Sequence, residues 1–180
     1  MHSRHKVPTI ETQRLILREW RPRDVDAYAR ICADPEVMRF MWPARPATPA
    51  EAAYGVELMR EHWLRWGFGH WAVEERQSGR FVGRTGVKRH PDWELDPENT
   101  EVGWLYDKTV WGRGYATEGA RAAVRFMLEE IGRPEVISIA HPDNAASRRV
   151  MEKAGLSYAG ARHWTARNID VVWYSTGAAA

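Results

Sequence analysis

A turn with two glycines offers the clearest chemistry in this sequence. Residues 111–118 read WGRGYATE and separate an extended stretch from an amphipathic one. Glycine lets a backbone approach a ligand closely. The first amides of a helix lack partners within it, and the helix dipole favours an anion there. The turn therefore predicts a phosphate or pyrophosphate site, with Arg113 adding a cation at its rim.

Three other interpretations of this turn are a nucleoside-triphosphate loop, a dinucleotide-binding loop and a tight turn without a ligand. No Lys-Ser or Lys-Thr follows the glycines, which disfavours a nucleoside-triphosphate loop. The spacing is not Gly-x-Gly-x-x-Gly and the turn lies late in the chain, which disfavours a dinucleotide fold. Taken alone, the two glycines are equally typical of a tight turn that serves close packing.

The elements around the turn are of mixed type, because period-two and helical patterns alternate along the chain. Strands are predicted over 13–20, 70–75, 81–88, 100–106, 136–140, 157–165 and 169–176, and helices over 24–32, 48–66, 117–131 and 144–154. The strand–helix–strand unit from Thr100 to Ala140 should place its strands parallel through a right-handed crossover.

Several ordered motifs resemble the GNAT superfamily of N-acetyltransferases. The superfamily's cofactor-binding core is similar to three segments here: EVGW (101–104), the glycine turn and NAASRRVMEKAGL (144–156). Two further segments, TQRLILR (12–18) and DPEVM (34–38), resemble its RimJ/RimL-like branch, the ribosomal-protein N-terminal acetyltransferases. The resemblance implies one mixed α/β domain over 11–176, between a short extension (1–10) and a frayed tail (177–180). It also implies a largely antiparallel sheet of about seven strands, with a splayed parallel pair and flanking helices.

The resemblance implies acetyl-CoA as cosubstrate. The superfamily's Gln/Arg-x-x-Gly-x-Gly/Ala loop falls on 111–116, where Trp111 departs from the pattern and Gly114 and Ala116 match it. The pantetheine arm is expected to pair with the edge of the strand 100–106. Asn144 matches an asparagine that contacts this arm, and an N-cap role is compatible with that. The predicted cofactor-binding residues are Trp104, Leu105, Tyr106, Trp111, Gly112, Arg113, Gly114, Tyr115, Ala116, Thr117, Asn144 and Ser147.

The resemblance also implies the catalytic pair. Glu101 matches the branch's base, and burial against tryptophans is expected to raise its pKa, although an exposed strand-end carboxylate is the plainer interpretation. Met151 replaces the tyrosine that many members use as the acid. Ser147 is then the expected acid, unless it only bonds the backbone in the first helical turn. Glu118 is interpreted as a partner of the helix dipole rather than a base.

The expected mechanism is direct transfer within a ternary complex. Backbone amides near Trp104 and Leu105 would polarise the thioester carbonyl. A covalent route through Cys32 is disfavoured, since Cys32 lies on the first helix without an evident basic partner for its thiol.

The resemblance implies a primary amine as the acceptor, either a protein N-terminus or a small-molecule or antibiotic amine. Three regions either wall its groove or are packing: the segment 39–43, the helix around His62, Trp63 and Trp66, and the loop around Trp93. The loop acids Asp92, Glu94, Asp96 and Glu98 would suit polyamines or aminoglycosides, unless they are a solvated face. A catalytically silent acyl-CoA-binding module is the alternative function.

Composition narrows the remaining classes of function. A net charge of +2 and dispersed arginines disfavour nucleic-acid binding. No metal-binding spacing occurs among the seven histidines, His141 being taken as a bystander, so no metal is expected. One cysteine, no signal peptide and no long apolar run predict a cytoplasmic protein without a membrane segment. The final hairpin would suit a homodimer.

Overall fold

A single eight-stranded sheet forms the centre of the computed structural model, which describes residues 6–177. Its order is β1-β2-β3-β4-β5-β6-β8-β7, and every neighbouring pair is antiparallel except the parallel pair β5–β6. The predicted mixed α/β fold is thereby confirmed, with one strand more than expected. The strands are β1 (Ile10–Glu11), β2 (Leu15–Arg18), β3 (His70–Glu75), β4 (Phe81–Lys88), β5 (Glu101–Tyr106), β6 (Ile137–Ala140), β7 (Ser157–Trp164) and β8 (Ile169–Ser175).

Helices cover both faces of the sheet. One apolar cluster joins the sheet to α4 and α5, and a second joins it to α1 and α3. Trp63, Trp71 and Trp93 are almost fully buried, so much of the tryptophan content is core. No helix within residues 6–177 is long and apolar enough to cross a bilayer. The helices are α1 (Asp24–Cys32), α2 (Pro35–Met38), α3 (Pro49–Trp66), α4 (Tyr115–Arg125, continued by a π-helical turn over Phe126–Glu130) and α5 (Ala145–Lys153).

Local sequence signals determine the ends of α3. Thr48 and Glu51 form a reciprocal capping box at its start. Gly67 ends the helix in the left-handed region at φ 72°, which glycine adopts without a steric penalty. Both ends therefore lie where the sequence predicts them.

Two elements had boundaries that were predicted wrongly. The first long strand occupies Leu15–Arg18 rather than 13–20, and it pairs with β3 over those four residues. Helix α4 begins at Tyr115 rather than Thr117, because Gly114 at φ 80° turns the chain and its carbonyl accepts the first helical bond, from Glu118. The tail residues 178–180 lie outside the described part of the chain.

The parallel strands β5 and β6 separate soon after they meet. They are paired only at Glu101 and Ile137, where the Ile137 amide donates to the carbonyl of Thr100 at 2.9 Å. One step further, the hydroxyl of Ser138 donates to the Val102 carbonyl at 2.8 Å. Beyond that point β5 has no strand partner on this side. The predicted splay is thus confirmed, and it opens a gap in the middle of the sheet.

Candidate active site

The glycine turn presents unpaired amides at the start of α4. Gly112 and Gly114 have φ of 75° and 80°, a region that disfavours side chains. The first helical bond is donated by Glu118, so the amides of Tyr115, Ala116 and Thr117 have no partner within the helix. A cradle for a pyrophosphate needs this arrangement, and the residues present fit it.

Three side chains of this turn, those of Trp111, Arg113 and Tyr115, contact neighbouring elements of the fold. The indole of Trp111 donates to the Tyr106 carbonyl at 3.0 Å and steadies the turn against the end of β5. The Tyr115 hydroxyl donates to Glu75 at 2.5 Å. Arg113 is exposed, with its guanidinium 3.8 Å from the same carboxylate. Trp111 is half exposed, and it replaces a polar first residue by this one hydrogen bond.

The exposed edge of β5 offers the backbone of Trp104 to the gap. Carbonyls of Thr100 and Val102 face β6, and strand alternation turns Trp104 the same way. The Leu105 carbonyl lies instead against Gly83 of β4. The expectation that the Leu105 amide also faces the cofactor is therefore wrong, because neighbouring residues of a strand point their polar groups to opposite sides. The Tyr106 side chain is buried and bonded to Thr85 at 2.7 Å, so only its backbone lies near the gap.

Helix α5 carries the residues expected beside the departing thiolate. Asn144 caps it, its Oδ1 accepting from the Ser147 amide at 3.1 Å, which leaves the Nδ2 group for another partner. The Ser147 hydroxyl is partly buried and bonds no backbone carbonyl within residues 6–177. Met151, one turn further, is fully buried in the core. Ser147 is thus the hydroxyl on this face of α5, and Met151 is packing.

Glu101 lies at the first residue of β5, beside the point where the parallel strands meet. Its side chain is buried, and its Oε2 is 3.2 Å from Nε2 of His90. The Nδ1 of His90 faces a guanidinium nitrogen of Arg167 at 2.9 Å. Because arginine only donates, Nδ1 must accept, and Nε2 must carry the hydrogen that is donated to Glu101. The three side chains therefore form one directed chain of hydrogen bonds.

The surroundings of Glu101 correct the expected direction of its pKa. Burial raises the pKa, but the His90 hydrogen bond and the positive charges of Lys88 and Arg84 outweigh it, and the pKa lies below the ordinary value. Burial also lowers the pKa of His90, which keeps the imidazole neutral at neutral pH. Glu101 is therefore a carboxylate that is ready to accept a proton.

Glu118 holds the first strand to the glycine turn. Its carboxylate accepts from the Thr12 hydroxyl at 2.6 Å and from the amide and Nε of Arg14, both at 2.7 Å. The Arg14 guanidinium also donates to the Arg113 carbonyl at 2.6 Å. Glu118 is thus a structural partner of the turn, in agreement with its interpretation as a non-catalytic residue.

Of the regions expected to line the acceptor groove, some residues are exposed and others are buried in the core. Trp42 is 60% exposed with Arg167 5.9 Å from its ring, and Phe40 packs on His141 at 5.4 Å, so the segment 39–43 reaches across towards the end of β6. Trp63 and Trp93 are core residues instead.

The acidic loop is neutralised by arginines. Asp92 pairs with Arg167 at 2.9 Å, Glu94 with Arg162, and Glu98 with Arg89 at 2.6 Å. Asp96 accepts from the amide of Glu98. The loop is therefore a structural clamp rather than an acidic groove.

Cys32 is the last residue of α1 and its side chain is buried in the core. Burial raises the pKa of its thiol, which disfavours the thiolate that a covalent route needs. Within residues 6–177, no three His, Cys, Asp or Glu side chains are grouped as a metal site.

Sequence reasoning missed His90, Arg167, Ser138 and the cations Arg84 and Lys88. Period-two spacing of Arg84, Gly86 and Lys88 on β4 places both cations on the face of Glu101. That spacing was a usable signal. His90 and Arg167 come from loops, and no local pattern connects them to Glu101.

Comparison with known proteins agrees with this geometry. The model of the acetyltransferase (GNAT) domain matches residues 14–157. The FsC-acetyl coenzyme A-N(2)-transacetylase of Aspergillus fumigatus is 35% identical over 161 residues, covering 84% of this chain and 66% of that protein. This chain therefore spans slightly less than two thirds of that relative's length.

Solved structures show the same fold. An acetyltransferase from Agrobacterium tumefaciens superposes with a TM-score of 0.80 at 26% identity, covering 94% of each chain. RimL, a ribosomal L7/L12 α-N-protein acetyltransferase in complex with coenzyme A, superposes with a TM-score of 0.76 over 93% of this chain and 97% of its own, and its 16% identity supports the fold alone. The chain therefore belongs to the GNAT acetyltransferase family.

Proposed function

We propose that this protein transfers the acetyl group of acetyl-CoA directly to a primary amine within a ternary complex. The observation that carries the proposal is the position of a buried, ionised Glu101 at the start of the splay, on the strand whose free edge leads to the glycine turn. The cofactor-binding set remains as predicted from the sequence, except for the amide of Leu105.

Glu101 acts as the base, directly or through water. The reacting amine must lose a proton because α-amines and lysine amines, with pKa values of about 8 and 10.4, are largely protonated at neutral pH. Such assistance is worth about 10²–10⁴-fold in rate. His90 donates to Glu101 and holds its carboxylate in place, while Arg167 fixes the orientation of the imidazole.

The amide of Trp104 and the hydroxyl of Ser147 act on the thioester. The Trp104 amide donates to the carbonyl oxygen and stabilises the negative charge that develops there. Attack by the amine forms the amide bond and breaks the carbon–sulfur bond. Ser147 supplies a proton to the departing thiolate, and its free hydroxyl supports that role.

The RimJ/RimL-like branch and the acceptor belong to this proposal. The fungal relative is an N(2)-transacetylase, and the RimL neighbour is an α-N-protein acetyltransferase. We propose an α-amine as the acceptor, which the motifs at 12–18 and 34–38 support. We also propose that the protein is located in the cytoplasm and that it forms a homodimer through β7 and β8. Size-exclusion chromatography with light scattering tests the dimer.

The experiment is an acetylation assay with acetyl-CoA and a panel of peptides, amino acids and antibiotic amines. Free thiol gives the rate and mass spectrometry the product. Release of thiol that requires an acceptor, and its loss in Glu101→Gln, are expected. Saturating acetyl-CoA at 100 times its Kd should stabilise the fold by about 2.7 kcal/mol. Stabilisation without turnover of any amine would instead establish the silent acyl-CoA-binding module.

A further inference from the structure

Glu101 and His70 converge beside Gly103 on one face of β5. Gly103 follows Glu101 on the same face of β5. A β-carbon at Gly103 would lie 3.3 Å from both oxygens of Glu101 and 3.6 Å from Cε1 of His70. The base and His70 therefore lie against the same backbone position, which must stay free of a side chain because a β-carbon there would crowd both groups.

Two cations share this face of the sheet. Lys88 of β4 lies directly opposite Glu101 in the strand register. Arg84, four residues earlier, donates to His70 Nδ1 at 2.9 Å and to the Tyr28 hydroxyl at 3.0 Å. Both partners of Arg84 are neutral groups.

Neither cation has an ion-pair partner among the described residues. Within residues 6–177, no carboxylate oxygen lies within 4.0 Å of the Lys88 ammonium or the Arg84 guanidinium, whereas the loop cations Arg89 and Arg167 are both paired. Burial disfavours the charged form of Lys88 and lowers its pKa. An amine acceptor without an anion would leave this charge unbalanced.

The surrounding groups do not restore the balance. Burial lowers the pKa of His62, His70 and His90, so these imidazoles are neutral at neutral pH. Asp92 is already engaged with Arg167. This face of the sheet thus carries two cations, Lys88 and Arg84, against the single carboxylate of Glu101, and the missing charge is negative.

We propose that the acceptor carries a carboxylate close to its reacting amine. The carboxylate binds Lys88, assisted by Arg84, while the amine meets Glu101. This inference rests on the proposed transfer to an amine and narrows it to amino acids or to peptides that begin with an acidic residue. Polyamines and aminoglycosides bring further positive charge to a site that already has an excess, and they are disfavoured.

Matched acceptors test the carboxylate. Free amino acids are compared with their primary amides, and peptides that begin with Asp or Glu with those that begin with Asn or Gln. The acid is expected to have a KM at least about tenfold lower than its neutral counterpart, the size of one charged hydrogen bond. If only free amino acids are preferred over their amides, the acceptor is an amino acid. If only the peptides that begin with Asp or Glu are preferred over those with Asn or Gln, the acceptor is a peptide. Equal KM values within both pairs would overturn the proposal.

Variants then assign the preference to Lys88. Lys88→Met should abolish the acid preference while leaving the KM of acetyl-CoA unchanged. Lys88→Arg should retain most of the preference, and Lys6→Met, at an exposed lysine, should behave as wild type. An acid preference that survives in folded Lys88→Met, or a Lys88→Arg protein without one, would refute the role of this residue.

Binding separates this inference from the proposed function. If no acceptor releases thiol, the proposed transfer fails, while the carboxylate is still tested by calorimetric titration of amino acids and their amides into the protein saturated with coenzyme A. Tighter binding of the acids, lost in Lys88→Met, would support the site. Equal binding of acids and amides would overturn it.

Discussion

Replacement of Glu101 by glutamine separates its proton-accepting role from its packing. Glutamine has nearly the same volume, and its carbonyl oxygen still accepts from His90 Nε2 across the 3.2 Å bond. The substitution removes the negative charge of the carboxylate and, with it, the ability to take a proton. The expected loss is about 10²–10⁴-fold in kcat/KM, which corresponds to about 3–5 kcal/mol of transition-state stabilisation.

The assay is free-thiol release at saturating acetyl-CoA across a range of pH. Because the pKa of Glu101 lies below its ordinary value, the carboxylate stays ionised at neutral pH, and the wild-type rate should rise with pH as the amine deprotonates. Glu130→Gln, at an exposed glutamate, is the matched control. A folded Glu101→Gln protein within about threefold of wild type would refute general-base catalysis by this residue.

Neighbouring groups give four more expectations. Ser147→Ala should lower kcat by about 10²-fold in steady-state kinetics, and an unchanged kcat would exclude it as the acid. Gly114→Ala forces alanine to φ 80°, costs about 1–2 kcal/mol, and should weaken coenzyme A binding by calorimetry; equal affinity would contradict the cradle. His90→Phe removes a hydrogen bond that lowers the pKa of Glu101. The fall of kcat/KM on the acidic side of its pH profile should therefore move to higher pH. His163→Phe, at an exposed histidine, should leave the profile unchanged. An unchanged pH profile in His90→Phe would contradict the role of His90 in lowering the pKa of Glu101. Cys32→Ala should retain full turnover, and lost activity with intact folding would contradict direct transfer.

Local patterns predict most of the secondary structure because their causes lie within a few residues. The ends of α3 follow from Thr48, Glu51 and Gly67, all close to the boundary they determine. The start of α4 was misplaced by two residues, since the left-handed conformation of Gly114 lets the helix begin directly after it. The extent of β2 follows from its pairing with residues 72–75 of β3, a long-range contact that the sequence near β2 does not contain.

By itself, the sequence determined the glycine turn, the alternation that gives β5 a face, and the identities of Glu101 and Ser147 as the acid–base pair to test. Only the tertiary structure decided the electrostatics of that pair. His90 and Arg167 are 77 residues apart and meet at Glu101 through side-chain contacts. A pKa depends on every charge and every layer of protein within several ångströms, so the fold that assembles those charges sets its direction.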